Sequence, residues 1–184
     1  MTGGVRTRWL ARHIHAEGVV ACPAEAVWGL SCDPFSGSAV REVLALKGRP
    51  ESKGLIIVVG DVGMLRPVLQ GLPTAQRKEL ELSWPGAHTW LVPNRGVFPA
   101  WITGASTEVA VRVTASPALA ALSKAVGGPL VSTSANPAGA LPARHGFQVV
   151  RYFGSSVLRA VGEVDLLGRP STIRRAGSQD VLRV

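Results

Sequence analysis

Cations and hydroxyl side chains gather at four places in this sequence, in combinations that suit the binding of an anion. Hydrogen bonds from such groups to a charged oxygen contribute about 1.5–3 kcal/mol each, so a few of them can hold a phosphate chain or a carboxylate. The four places are Lys47-Gly48-Arg49-Pro50 with Lys53, Ser132-Thr133-Ser134-Ala135-Asn136, Arg112 in a valine-rich stretch, and Ser171-Thr172 before Arg174 and Arg175.

Each of these places also has a purely structural explanation, which the residues alone leave open. A lysine in a last helical turn is favoured by the helix dipole, and Ser, Thr and Asn satisfy their own turns. Alternation along a strand puts Val109, Val111 and Val113 on one face and Arg112 beside Ala110 on the other. That second face is either the wall of a cleft or a solvated surface.

Several common kinds of site are missing from the sequence. There is no GxxxxGK[ST] or GxGxxG motif, no Ser-His-Asp order and no closely spaced pair of carboxylates. The four histidines show no HExxH spacing, and the two cysteines fit no metal or disulfide pattern. A nucleotide would therefore be held by side-chain cations and hydroxyls, and no protein-held metal is expected.

The composition narrows the class of partner. The 184 residues carry a formal net charge of +8, and 16 of the 20 basic residues are arginine, which captures phosphate or carboxylate with two parallel hydrogen bonds. A GC-rich genome would also favour arginine codons. The charge indicates an anionic partner but does not separate an RNA-binding module from an ATP-using enzyme. With no membrane-spanning run and no export signal, a cytoplasmic protein is expected.

The hydrophobic pattern predicts alternating helices and strands, and hence an α/β fold with a mixed sheet. Ser36 or Ser38 is a plausible N-cap and Gly48 a plausible C-terminal residue for the helix that carries Lys47. Helices are predicted over 7–17, 36–47, 61–69, 74–82, 117–126 and 146–153. Strands are predicted over 19–22, 55–59, 89–93, 109–113 and 130–132, with shorter pieces near 157–161, 171–174 and 181–184.

Six segments, in order and across nearly the whole chain, together resemble the YrdC family of threonylcarbamoyl-AMP synthases, in its short form. The segments are 23–33, Lys47-Gly48-Arg49-Pro50 through Lys53-Gly54-Leu55, Trp84-Pro85-Gly86 with Thr89, 109–113, 132–136 and Pro170-Ser171-Thr172-Ile173. The resemblance implies one domain over residues 1–184: a twisted mixed β-sheet, flanked by helices, around a basic concave cavity.

The resemblance also implies roles for particular residues. The family signature pairs a Lys-x-Arg with a Ser-x-Asn, and here Lys47, Arg49, Ser134 and Asn136 would surround the ATP phosphates and the adenylate. Lys53 and, more loosely, Arg183 would add nucleotide contacts. Arg112, Ser132 and Ser171 would form the threonine side, together with the position of Ala24. Many relatives have Thr, Thr and Tyr where this chain has Ala24, Ala26 and Trp28, so a hydroxyl toward threonine is absent.

The implied reaction joins threonine, bicarbonate and ATP into threonylcarbamoyl-adenylate and pyrophosphate. Mg²⁺ would arrive on the ATP phosphates, and the product would serve N6-threonylcarbamoyladenosine modification of tRNA through a transferase complex. A monomer is expected, and the charge leaves room for direct RNA binding. Two other readings stay open: a non-catalytic module for double-stranded or structured RNA, and another adenylate-forming or carbamoyl-transferring enzyme. The enzyme reading predicts that Arg49 and Asn136 face each other across one cavity.

Overall fold

A nine-stranded mixed β-sheet organises the chain. The computed structural model describes residues 3–168, 170–178 and 180–183. The strands are β1 (Val20–Pro23), β2 (Trp28–Ser31), β3 (Ile56–Val59), β4 (His88–Pro93), β5 (Glu108–Val113), β6 (Leu130–Ser134), β7 (Leu158–Arg159), β8 (Thr172–Arg175) and β9 (Val181–Arg183). Their order across the sheet is β7-β1-β2-β6-β3-β5-β4-β8-β9, so the chain crosses over repeatedly. Strands β1–β7, β3–β5 and β4–β8 pair in parallel and the others antiparallel.

Helices cover both faces of this sheet. They are α1 (Gly3–His15), α2 (Gly37–Lys47), α3 (Arg66–Leu69), α4 (Thr74–Ser83), α5 (Ala100–Thr103), α6 (Pro117–Val126) and α7 (Gly146–Phe153), with 3-10 turns at Glu51–Lys53 and Val62–Leu65. None of the helices in the described ranges is long and apolar enough to cross a bilayer. The predicted α/β class with helices flanking a mixed sheet is confirmed.

Alternate residues along the strands contribute side chains to two hydrophobic clusters, one on each face of the sheet. Val58 of β3 and Leu130 of β6 pack with residues of α1 and α6. Their neighbours Ile57 and Val131 belong to the larger cluster on the other face, together with residues of α2, α4 and α7. Helices α1 and α6 cover only part of their face. The uncovered part holds the cavity described below, where Ile56 of β3 is exposed to it.

Helix α2 ends as its sequence predicts, and this ending aims the first cationic segment. Ser36 is the N-cap, and its hydroxyl accepts a hydrogen bond from the amide of Ala39 at 3.2 Å. Gly48 follows in the left-handed region with φ 59°, and its amide bonds back to the carbonyls of Leu44 and Ala45. The chain therefore reverses directly after Lys47, which brings Arg49 out of the helix toward the sheet.

Candidate active site

A cavity of about 580 Å³ lies against the part of the sheet that α1 and α6 leave open. Segments that are distant in the sequence contribute to its wall. Seven of the ten residues predicted to bind substrate line it: Ala24, Arg49, Lys53, Arg112, Ser132, Ser134 and Ser171. Lys47 and Asn136 lie behind the lining, and the side chain of Arg183 lies outside the described part of the structure. The predicted clustering of cations around the hydroxyls is therefore present.

Arg49 and Lys53 enter the cavity from the turn after α2. The Arg49 guanidinium donates to the carbonyls of Lys53 at 3.2 Å and Gly54 at 3.0 Å, which closes the turn on itself. The turn is then fixed to α5, because the amide of Leu55 donates to the carbonyl of Ile102 at 2.8 Å. Two cationic groups are thus held on one short, anchored loop at the rim of the cavity, which is an arrangement suited to a chain of phosphates.

Lys47 binds the segment that follows β6 rather than lining the cavity. Its ammonium donates to the carbonyls of Ser134 at 2.5 Å and Asn136 at 3.0 Å, and lies 3.4 Å from both the Ser134 Oγ and the Asn136 Oδ1. Only 6% of Lys47 is exposed. Burial, with a smaller effect of the Arg49 charge, lowers the Lys47 pKa from 10.5 to about 8. The two signature segments therefore meet, as predicted, through a lysine that holds the serine loop in place.

Asn136 completes that loop. Its amide nitrogen donates to the carbonyls of Pro137 at 3.1 Å and Ala140 at 2.8 Å, while its Oδ1 faces the Lys47 ammonium. Asn136 thus makes the turn contacts expected from an Asn-Pro sequence, and Ser134 remains the member of the pair that lines the cavity. Arg49 lines the cavity but Asn136 does not, so the predicted opposition of Arg49 and Asn136 across it is not found; Ser134 lies in the lining instead.

Arg112 lies in the wall, and its partner was not predicted. Arg112 is 6% exposed, so it does not lie on a solvated sheet face. Its Nη1 forms an ion pair with Oε2 of Glu25 at 2.9 Å. The other carboxylate oxygen of Glu25 accepts from the Thr114 hydroxyl at 2.8 Å and the Ala115 amide at 3.1 Å. Thr114 and Ala115 thus hold the Glu25 carboxylate in place, and the carboxylate in turn orients the Arg112 guanidinium.

The remaining predicted residues lie on the same wall. Ser132 and Ser171 are both buried, and the Ser171 Oγ accepts a hydrogen bond from Thr89 at 3.1 Å, where β4 and β8 run side by side. Ala24 is also buried and presents only a methyl group to the cavity. The hydroxyls thus lie on the same wall as Arg112, as a carboxylate-bearing polar ligand would require.

Two carboxylates in the lining, Glu25 and Glu108, escaped the sequence prediction. Glu108 accepts from the Arg175 Nε with both oxygens, at 3.1 and 3.2 Å. Three cations and two carboxylates therefore line the cavity within the described residues, so it is less strongly basic than the overall charge suggested. Both carboxylates are occupied by arginines, and no group of three or more metal-binding side chains occurs among the described residues.

Comparison with known proteins identifies the family of the chain that forms this cavity. A model of the Sua5_yciO_yrdC family, described as "Telomere recombination", matches residues 12–184. The chain belongs to this family. The family resemblance that the six sequence segments indicated is thereby confirmed, and the match extends from within α1 to the end of the chain.

Relatives of similar length carry one common name. The chain is 48% identical to the threonylcarbamoyl-AMP synthase of Cellvibrio japonicus over 181 residues, which cover 97% of this chain and 95% of the relative. It is 46% identical to the threonylcarbamoyl-AMP synthase of Halorhodospira halophila over 179 residues, covering 97% and 94%. The similarity therefore spans all the segments that line the cavity.

Solved structures agree on the fold. P. abyssi Sua5, crystallised in complex with L-threonine, superimposes with a TM-score of 0.87 at 27% identity, over 97% of this chain and 53% of that one. The chain thus spans about half the length of that Sua5 protein. E. coli YciO superimposes with a TM-score of 0.85 over 98% of this chain and 89% of its own, and at 17% identity shows the shared fold.

Proposed function

We propose that this chain is a threonylcarbamoyl-AMP synthase, which forms L-threonylcarbamoyladenylate and pyrophosphate from L-threonine, bicarbonate and ATP. The observation that carries the proposal is the convergence of Arg49, Lys53, Arg112 and three serines in one cavity. It is supported by the names of relatives that are nearly half identical over their whole length. The non-catalytic RNA-binding reading is not favoured by these relatives.

In the proposed reaction the amine of threonine attacks bicarbonate, and loss of water leaves a carbamate. A carbamate oxygen then attacks the α-phosphorus of ATP, and the bond to the bridging oxygen breaks with release of pyrophosphate. Arg49 and Lys53 neutralise the phosphates, and the hydroxyl of Ser134, which lines the same cavity, donates to them. Such groups work mainly by alignment and charge stabilisation, so no general acid or base is required.

Arg112, oriented by Glu25, binds the threonine carboxylate. Ser132 and Ser171 supply hydrogen bonds to the polar groups of threonine, and Ala24 leaves space beside them. Lys47 and Asn136 act through Ser134, whose loop they hold. Mg²⁺ enters as MgATP, held by phosphates and water, because both lining carboxylates are already engaged. Delivery of the product to tRNA through a transferase complex belongs to the same proposal.

Omission of single substrates tests the proposal directly. With MgATP, threonine and bicarbonate together, the protein should release pyrophosphate and yield an adenylate of the expected mass. Leaving out threonine or bicarbonate should stop both signals, because the nucleophile can no longer form. If pyrophosphate release continues when threonine or bicarbonate is omitted, the proposed reaction is rejected. If another amino acid can replace threonine, the amino-acid substrate has to be reassigned.

A further inference from the structure

A second cavity, of about 780 Å³, lies at the β7 edge of the sheet and shares no lining residue with the candidate active site. It forms where α1, the start of α7, β7 and the segment 160–166 meet. We call it the arginine cavity after Arg6, Arg144 and Arg159, which all line it. Trp28 lies in its wall, whereas the flanking Val27 and Gly29 line the active-site cavity. The two cavities are therefore separated by a single extended segment.

The three guanidinium groups are oriented by main-chain carbonyls rather than by carboxylates. Arg6 donates to the carbonyl of Arg159 through Nε at 3.0 Å and Nη2 at 2.7 Å. Arg159 donates through Nη1 to the carbonyl of Gly146 at 2.8 Å, and Arg144 donates to the carbonyl of Leu166. A carbonyl fixes a guanidinium but carries no net charge. None of the three forms an ion pair within the described residues, so no carboxylate is in direct contact with these guanidinium groups.

The wall around these arginines is tightly built. Gly146 opens α7, and a Cβ there would lie 2.8 Å from Nη1 of Arg159 and 3.2 Å from the Trp28 ring. Gly146 thus leaves room for the Arg159 guanidinium and the Trp28 ring beside the helix start. Its first turn adds a partial positive charge to that of the arginines, and His145 caps it. Both the donors and the backbone around them are thus fixed before any ligand arrives, which reduces the entropy lost on binding.

We propose that the arginine cavity binds an organic phosphate monoester. Among the described residues of its lining are three arginines and one carboxylate, Glu163, which together give a formal charge of +2. A phosphate monoester near neutral pH carries close to two negative charges, whereas a phosphodiester or a carboxylate carries one. Val161 and Leu166 line the same cavity and are 69% and 50% exposed, so they offer apolar contact to the organic part of the ligand. This proposal does not depend on the proposed function.

Titration with phenyl phosphate at pH 7.5, followed by calorimetry, tests the assignment, with methyl phenyl phosphate as the matched diester. All measurements use Arg49→Ala as background, which weakens phosphate binding in the other cavity. Arg144→Ala should weaken phenyl phosphate binding about 10-fold, the loss of one charge-assisted bond. Glu163→Gln should tighten it about 3-fold, because it removes the only carboxylate in the described lining. Arg151 is an exposed arginine of α7 outside the cavity, so Arg151→Ala should leave the affinity for phenyl phosphate unchanged.

The Glu163→Gln variant keeps the test decisive, because damage to the fold cannot tighten binding. Equal affinity of all variants would overturn the proposal, and so would an equal loss in Arg144→Ala and Arg151→Ala. Preference for the diester would overturn the monoester assignment. A short RNA without terminal phosphate is the last probe. If it binds more tightly than phenyl phosphate and its affinity falls in Arg144→Ala, the ligand is a nucleic-acid backbone and the monoester assignment is overturned.

Discussion

Arg49 and Arg41 lie eight positions apart on the same short stretch of chain, but only Arg49 reaches the cavity. Arg49→Ala should lower kcat/KM for ATP by about 30- to 1000-fold, since one lost contact costs roughly 2–4 kcal/mol in the transition state. Arg41→Ala removes the same charge from the exposed surface of α2 and is the matched control. Steady-state pyrophosphate release measures both, and equal rates for the two variants would remove Arg49 from the site.

The Glu25–Arg112 ion pair allows a second test at the residue scale. Both side chains are largely buried, at 15% and 7% exposure, so the pair is poorly screened by solvent. A double-mutant cycle with Glu25→Gln and Arg112→Gln should give a coupling free energy of about 1–3 kcal/mol in urea unfolding. Because Glu25 orients the guanidinium, Glu25→Gln should raise the KM for threonine and leave that for ATP nearly unchanged. An additive cycle would show that the pair is not formed.

Lys47 predicts a specific dependence of stability on pH. Its pKa is about 8 in the folded protein and 10.5 when unfolded, so between these values the unfolded chain binds more protons. Stability must therefore rise with pH in this window, by at most about 1.4 kcal/mol per pH unit. Wild type relative to Lys47→Met, measured by urea unfolding from pH 7 to 9, should show this rise. A flat difference would mean that the Lys47 pKa is not lowered.

The comparison with Lys47→Met is needed because two buried thiols act in the opposite direction. Burial raises the pKa of Cys22 from 9.0 to about 12, and that of Cys32 also rises, chiefly by burial. Their contribution to stability is complete below pH 9 and is lost as the pH rises toward the folded pKa. Subtracting the variant cancels this loss, so the remaining slope belongs to Lys47.

Strand alternation and the ends of strands indicate which residues line the cavity only where the relevant information is local. Alternation along β5 placed Arg112 beside Ala110 but left open whether that face is solvated, whereas the end of β6 indicated Ser132 and Ser134. Glu25 could not be found in this way, because its partners lie on a segment far along the chain and no local pattern marks it. The burial of Lys47 depends likewise on which loop covers it.

At the scale of elements, the helices over 117–126 and 146–153 and the start and end of α2 were predicted correctly, since caps and glycines mark them. Strand β2 was missed. It has only four residues, includes Gly29, and takes its hydrogen bonds from β1 and β6, so tertiary pairing rather than propensity makes it a strand. Strand β1 was predicted over 19–22, but it extends to Pro23, which pairs with Trp28. The short helix α5 was also missed.

The turn that carries Arg49 and Lys53 depends on a close backbone approach to α5. Gly54 has φ 60°, and a Cβ there would lie 2.9 Å from the carbonyl oxygen of Thr103. Gly127 has φ 79° with nothing within 4 Å, so Gly127→Ala reports backbone strain alone, about 1 kcal/mol. Gly54→Ala should cost at least about 1 kcal/mol more in urea unfolding and should also impair ATP turnover. Equal losses for the two variants would show that the approach to α5 does not matter.

At the scale of the whole molecule, the two hydrophobic clusters share their strands. Alternate residues of β1, β3 and β6 belong to one cluster or the other. Loss of either cluster would therefore expose one face of the same three strands to solvent. Strand β6 also pairs with both β2 and β3 and thereby joins the two parts of the sheet. We therefore infer that residues 1–184 form a single folding unit, with the active-site cavity at the junction.

Unfolding experiments test this inference against the alternative of two independent parts. Tryptophan fluorescence reports the five tryptophans together, Trp28 on β2 and Trp90 on β4 among them, while far-UV circular dichroism reports the helices, and the two urea transitions should coincide. MgATP at 100 times its Kd should stabilise both signals equally, by about 2.7 kcal/mol. Arg49→Ala should lose most of this shift but keep the coincidence, because it alters the ligand site and not the shared strands. Transitions that separate, or a MgATP shift confined to one signal, would divide the molecule into two units.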